Sequence, residues 1–189
     1  MQKIHTTGLF ACAVLISGIS QSVYATNTIN FEGEITAATC SVTVTGQTGD
    51  TGTVKLPPVS VSDLAGPGSV AGKTDFSLSV SECDMGSTGF TTVAAYFEPD
   101  AVNVDTASGY LNNTAVAGAK DVQLRLTDLT SNAVIKAGDA AQVNDAGYVT
   151  VDADAHTATL PYSVEYISVL GGATSGAVKG SVTYNLIYQ

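Results

Sequence analysis

Apolar and polar residues alternate with a period of two through most of the chain. That pattern predicts strands, because successive side chains of an extended segment point to opposite faces. In "TINFEGEI", Ile29, Phe31, Gly33 and Ile35 share one face. "CSVTVTG" turns Val42 and Val44 inward, and "TDFSLSVSEC" does the same with Phe76, Leu78 and Val80 before reaching Cys83. "TTVAAYFEP", "DVQLRLTDL" and "TATLPYSVEYISVL" extend the series. It closes with "GSVTYNLIYQ", where Val182, Tyr184, Leu186 and Tyr188 oppose Ser181, Thr183 and Asn185, and Ile187 breaks the pattern.

Between these runs lie "TGQTGDTG", "AGPGSVAGK", "MGSTG", "NNTAVAGAK", "NDAGYV" and "LGGATSGAVKG", all rich in turn-forming residues. Short strands with Gly, Asn and Asp punctuation, abundant Val and Thr and no tryptophan predict an all-β sandwich. "SVSDLAG" around Leu64 fits a single helical turn. No repeat, second domain or long linker interrupts the pattern.

The first residues read differently. Lys3, the apolar run "GLFACAVLISGI" and the small-residue site "VYA" predict a secretory signal peptide over residues 1–25. "LFAC" offers a competing lipid-attachment reading at Cys12, opposed by bulky Phe10 and by the apolar run continuing past Cys12. The whole chain carries 7 basic and 17 acidic residues, a formal net charge of −10. Cleavage removes Lys3 and no acid, so the balance becomes more negative still. Such a charge argues against nucleic acid or an anionic membrane as a partner. Cleavage also removes Cys12, and in an exported chain the pair Cys40 and Cys83 is most simply one disulfide. Closing that loop contributes on the order of 4 kcal/mol in the chain-entropy view.

Catalytic and metal-binding patterns are weak. Beyond the leader the only histidine is His156, in "DADAHTATL", so a nucleophile triad or metal cluster has little to draw on. A solvated loop histidine is expected, with no cofactor and no enzymatic role. The acids of "VNDAGYVTVDADAH" fit no EF-hand spacing. "GPGSVAGK" lacks the spacing of a phosphate loop. "NNT" at Asn112 matches a glycosylation acceptor.

The two ends remain. About ten residues precede the cysteine-anchored body and alternate with nothing local to pair with. Gly33 within them suits a close backbone approach. The ends either pair with each other inside one molecule or wait for a partner.

Both ends resemble those of subunits of chaperone–usher fimbriae, the pilins, and most resemble major subunits of type 1-like fimbriae. "INFEGEITAATC", residues 29–40, matches their apolar–x–aromatic–x–Gly start leading to the first cysteine. Residues 160–189 match their C-terminal block, with Gly176 fourteen residues from the end and penultimate Tyr188; the cysteine pair matches too. The resemblance implies an incomplete immunoglobulin-like β-sandwich, a six-stranded fold lacking its last strand, over residues 36–189. It implies a donor-strand extension over residues 26–35, with Ile29, Phe31, Gly33 and Ile35 as the inserted side chains. Gly176, Val182, Tyr184, Leu186, Tyr188 and Gln189 would form the groove and the surface met by a periplasmic chaperone. The implied partners are that chaperone, an outer-membrane usher and neighbouring subunits in a head-to-tail homopolymer. The implied place is the cell-surface fimbrium. A minor adaptor or single-domain adhesin of the same system is the second reading.

Overall fold

The alternating segments form the strands in a computed structural model, which describes residues 38–45, 52–86 and 89–189. Six strands have five or more residues: β1 (Thr39–Thr45), β2 (Ser69–Asp84), β3 (Thr92–Phe97), β5 (Gln123–Asp128), β8 (Ala158–Ser168) and β9 (Tyr184–Tyr188). Three two-residue pieces accompany them: β4 (Leu111–Asn112), β6 (Val134–Ile135) and β7 (Val149–Thr150). The single turn expected near Leu64 is a 3-10 helix, Val61–Leu64, capped by Ser60. A four-residue helix, α1 (Gln142–Asp145), has no counterpart in the sequence pattern.

Two antiparallel sheets result. The larger runs β1-β2-β8-β5-β4 with β6 beside β5; the smaller runs β7-β3-β9. This is the all-β, immunoglobulin-like sandwich implied above. Among the described residues six of its nine strands have five or more residues.

Apolar faces of both sheets meet around Tyr162, which is 2 % exposed. Its ring lies 5.8 Å from Phe76 and 5.3 Å, edge-on, from Phe97. Its hydroxyl accepts the Ala95 N–H at 3.3 Å, so one residue of β8 ties the larger sheet to β3 of the smaller. Burial, helped by the charge of Asp128, pushes the Tyr162 phenol well up. The Cys40–Cys83 disulfide joins the start of β1 to the end of β2.

Two strand features have local causes. Pro161 sits within β8, a central strand, where a missing N–H is normally excluded. Its carbonyl accepts from Leu129, just past the last β5–β8 pair at Asp128–Tyr162. The absent N–H therefore faces the place where β5 has already ended. In β2, pairing with β8 shifts between Ala71 and Thr74. Gly72 there has φ +69°, and a Cβ on it would sit 2.9 Å from the Tyr166 ring. The expectation that "AGPGSVAGK" is wholly turn is thereby corrected: β2 begins at Ser69 and runs through a glycine bulge.

Candidate strand-accepting groove

Among the described residues β9 pairs on one side only, with β3. The Gln189 N–H donates to the Thr92 carbonyl at 3.1 Å, and the Thr92 N–H donates back to the Gln189 main-chain oxygen at 2.9 Å. In the register of β9 against β3, Ile187 lies opposite Ala94 and Asn185 opposite Tyr96. Hydrogen-bonded pairs alternate along an antiparallel ladder, so the N–H and C=O groups of Tyr184, Leu186 and Tyr188 point to the other edge. Among the described residues no strand pairs with that edge.

Side chains of β9 divide as the alternation predicts. Val182, just before the strand, and Tyr184, Leu186 and Tyr188 are half-buried against the core, while Thr183 and Asn185 are exposed. Ile187, the odd position of the sequence pattern, is half-buried as well. Burial raises the phenol pKa of both Tyr184 and Tyr188. The Tyr184 ring lies 6.2 Å from Phe97.

Beside this edge opens a cleft of about 390 Å³. Val182 and Tyr184 line it together with Phe76, Phe97, Leu124 and Leu126. Val54 and Leu56 line it too, from the extended segment ahead of the 3-10 turn. Neither was expected to line a groove, although they alternate around Lys55 in the same period-two manner. Among the described residues no carboxylate or histidine lines the cleft, and the basic residue lining it is Lys179. It can hold an apolar face, and the unpaired edge can hold a main chain. Together they are suited to receive a β-strand.

The other predicted residues fall as follows. Leu186 and Tyr188 continue along β9 beyond the cleft. The Gln189 main-chain oxygen is held by the N–H groups of Thr91 (2.8 Å) and Thr92 (2.9 Å) and by Thr92 Oγ1 (3.0 Å). Gly176 lies away from the groove, where a Cβ would come within 2.5 Å of the Ala119 nitrogen. Ile29, Phe31, Gly33 and Ile35 lie outside the described residues. His156 is exposed in a turn, φ +56°, with Nδ1 3.0 Å from the Cys83 carbonyl oxygen. Nearby Asp152 is held below the usual carboxylate range by the N–H groups of Ala155 and Asp154. Among the described residues no cluster of His, Cys, Asp and Glu could hold a metal ion, and no helix is long and apolar enough to cross a membrane.

An immunoglobulin-like sandwich whose β9 edge has no strand partner among the described residues, beside an apolar cleft, has a geometry suited to subunits that assemble into surface fibres. The chain belongs to the fimbrial protein family, whose profile matches residues 29–189. It is 38% identical over 191 residues to the F17 fimbrial protein of Escherichia coli, covering 100% of both chains. It is 40% identical over 169 residues to the major fimbrial subunit SMF-1 of Stenotrophomonas maltophilia (strain K279a), covering 87% of this chain and 94% of that one. The crystal structure of the P pilus rod subunit PapA shares its fold, with TM-score 0.53 and 22% identity over 86% of this chain and 100% of that chain. The protein is a structural subunit of a bacterial fimbria and works at the cell surface.

Proposed function

We propose that this subunit polymerises by donor-strand exchange and has no catalytic role. The free edge of β9, with the apolar cleft beside it, carries this reading. Residues 26–35 of a neighbouring copy supply the missing strand to the domain formed by residues 36–189. Ile29, Phe31 and Ile35 are the apolar side chains it inserts, and Gly33 passes where a side chain would clash. Three such side chains contribute about 5–9 kcal/mol when buried. Each main-chain hydrogen bond adds about 1 kcal/mol. Ordering the free extension offsets part of this.

Before assembly the same edge is covered by a strand from a periplasmic chaperone, which meets Val182, Tyr184, Leu186 and Tyr188 and contacts Gln189. An outer-membrane usher then exchanges that strand for the next subunit's extension, after residues 1–25 have been removed on export. Because each link is head-to-tail and does not close, the product is an open filament. Gly33→Asn tests the reading: a folded, exported subunit that forms no fibres in electron micrographs is expected. Fibres of normal length from that variant would overturn it.

A further inference from the structure

A hydrogen-bond hub at Asn113 lies outside every element of the groove but governs the chain that leads into it. β8 and β9 belong to different sheets, and residues 169–183 connect them. Where that connection is held decides where β9 begins. A carboxamide can donate twice and accept twice, and Asn113 uses all four. Its Nδ2 donates to the carbonyls of Ala119 (2.8 Å) and Ala177 (3.0 Å). Its Oδ1 accepts the N–H groups of Ala115 (3.1 Å) and Lys179 (2.9 Å). Every partner is main chain, and the two sets of partners are some sixty residues apart in sequence.

Neighbouring contacts extend the clamp. The N–H and hydroxyl of Thr114 both donate to the Lys179 carbonyl, at 2.8 and 3.1 Å. The Ala119 N–H donates to Ala177 O at 2.9 Å, and Lys120 and Thr174 exchange two further bonds. This explains Gly176: the backbones approach so closely that a Cβ would strike Ala119. The residue after Lys179 is Gly180, where a Cβ would sit 2.9 Å from Leu124 Cδ1. Gly180, Val182 and Leu124 all line the strand-accepting cleft.

We infer that Asn113 is a positioning residue for the groove: by clamping residues 177–179 onto the β4–β5 connection, it sets the place of Gly180–Val182 and so the fit of one end of the incoming strand. The inference rests on the strand-addition reading and adds a residue to it. A side chain that served only to hold the fold together would weaken every part of the bound strand alike, whereas a residue that positions one end weakens only that end.

The test titrates the full chain, without its leader, with labelled synthetic peptides of residues 26–36, read by fluorescence anisotropy. One peptide is unmodified and others carry alanine at Ile29, Phe31 or Ile35. Asn113→Ala is expected to lower affinity for the unmodified peptide about tenfold, the size of a coupling between contacting groups. That loss should vanish when alanine replaces the knob at one end of the peptide and persist when it replaces the knob at the other. Thr114→Val removes a single exposed hydrogen bond and should show the same polarity at about two- to threefold; it decides the matter if Asn113→Ala does not fold. An equal loss with all peptides, or no loss, overturns the inference. An unmodified chain that binds no peptide fails differently, since it overturns the strand-addition reading and takes this inference with it.

Discussion

The two long edges of β3 and β9 are treated in opposite ways. On its outer side β3 is closed at every step. Val93 pairs with Val149 of β7, and the Ala95 N–H meets the Tyr162 hydroxyl. The Gln142 carboxamide then takes both groups of Phe97, accepting its N–H at 3.0 Å and donating to its carbonyl at 3.0 Å. Gln142 thus acts as a one-residue strand, an amide pairing with a peptide as another peptide would. On the far side of the same sheet, β9 offers Tyr184, Leu186 and Tyr188 with no such cover among the described residues. An exposed sheet edge invites unwanted pairing, and proteins usually block it. Here one edge is blocked with side chains borrowed from another sheet and from a helix, and the other is left available. Among the described residues the long unpaired edge of this sheet is that of β9, so strand addition to the sheet has a defined side.

Substitutions can break or sharpen this contrast. The largest effect is expected from Leu186→Lys, which places a charge among half-buried core contacts on the open edge. Uptake of a peptide of residues 26–36 should fall by about a hundredfold, roughly 2.7 kcal/mol, as measured by anisotropy. Undiminished uptake would mean that the open edge is not where the strand docks. Gln142→Leu should act on the closed edge instead. It leaves the N–H of Phe97 without its partner in a buried setting and should cost about 1–3 kcal/mol in urea unfolding, with little change in peptide affinity.

A third test uses alkali. Tyr162, Tyr184 and Tyr188 have phenol pKa values raised by burial. A raised folded value means that the folded state holds the neutral phenol more tightly than the unfolded chain does. Their contribution is complete below the unfolded value near 10, and is lost as pH rises through the folded values. Melting temperature should therefore fall between about pH 10 and 12, and Tyr162→Phe should flatten the decline. The smallest effect belongs to Thr92→Val, which removes one exposed hydroxyl contact to Gln189. About 0.5 kcal/mol is expected in denaturant unfolding, with β9 still paired.

Much of this fold was legible in the order of residues. Period-two alternation located β1, β3, β5, β8 and β9, most directly where alternate residues face the core, as in β5; Val93–Ala95 of β3 and Tyr162–Glu165 of β8 are buried on both faces. The N-terminal part of β2 was hidden because Gly72 reads as a turn, whereas the structure uses it to let Tyr166 lie on the backbone. α1 was hidden because four residues carry no helical period, and its importance lies in a single glutamine side chain. Along the groove, Val182 and Tyr184 were readable from β9 itself. Val54 and Leu56 showed the same alternation over too few residues to stand out. Gly176 was expected in the groove, and the feature the structure shows there is a close backbone approach to Ala119. Asn113 resembled part of a glycosylation tripeptide, since nothing local reveals that two of its partners lie more than sixty residues away.

The Cys40–Cys83 bond has a mechanical consequence. Tension applied to the chain ahead of Cys40 passes through sulfur directly into Cys83 and skips the forty-odd residues between them. Those residues hold most of β1, the 3-10 turn and nearly all of β2, so a pull on the chain ahead of Cys40 does not unravel them from that end. The stretched path begins again at Asp84, one residue past the crosslink, and the load reaches β3 before it reaches anything that must be peeled from the larger sheet.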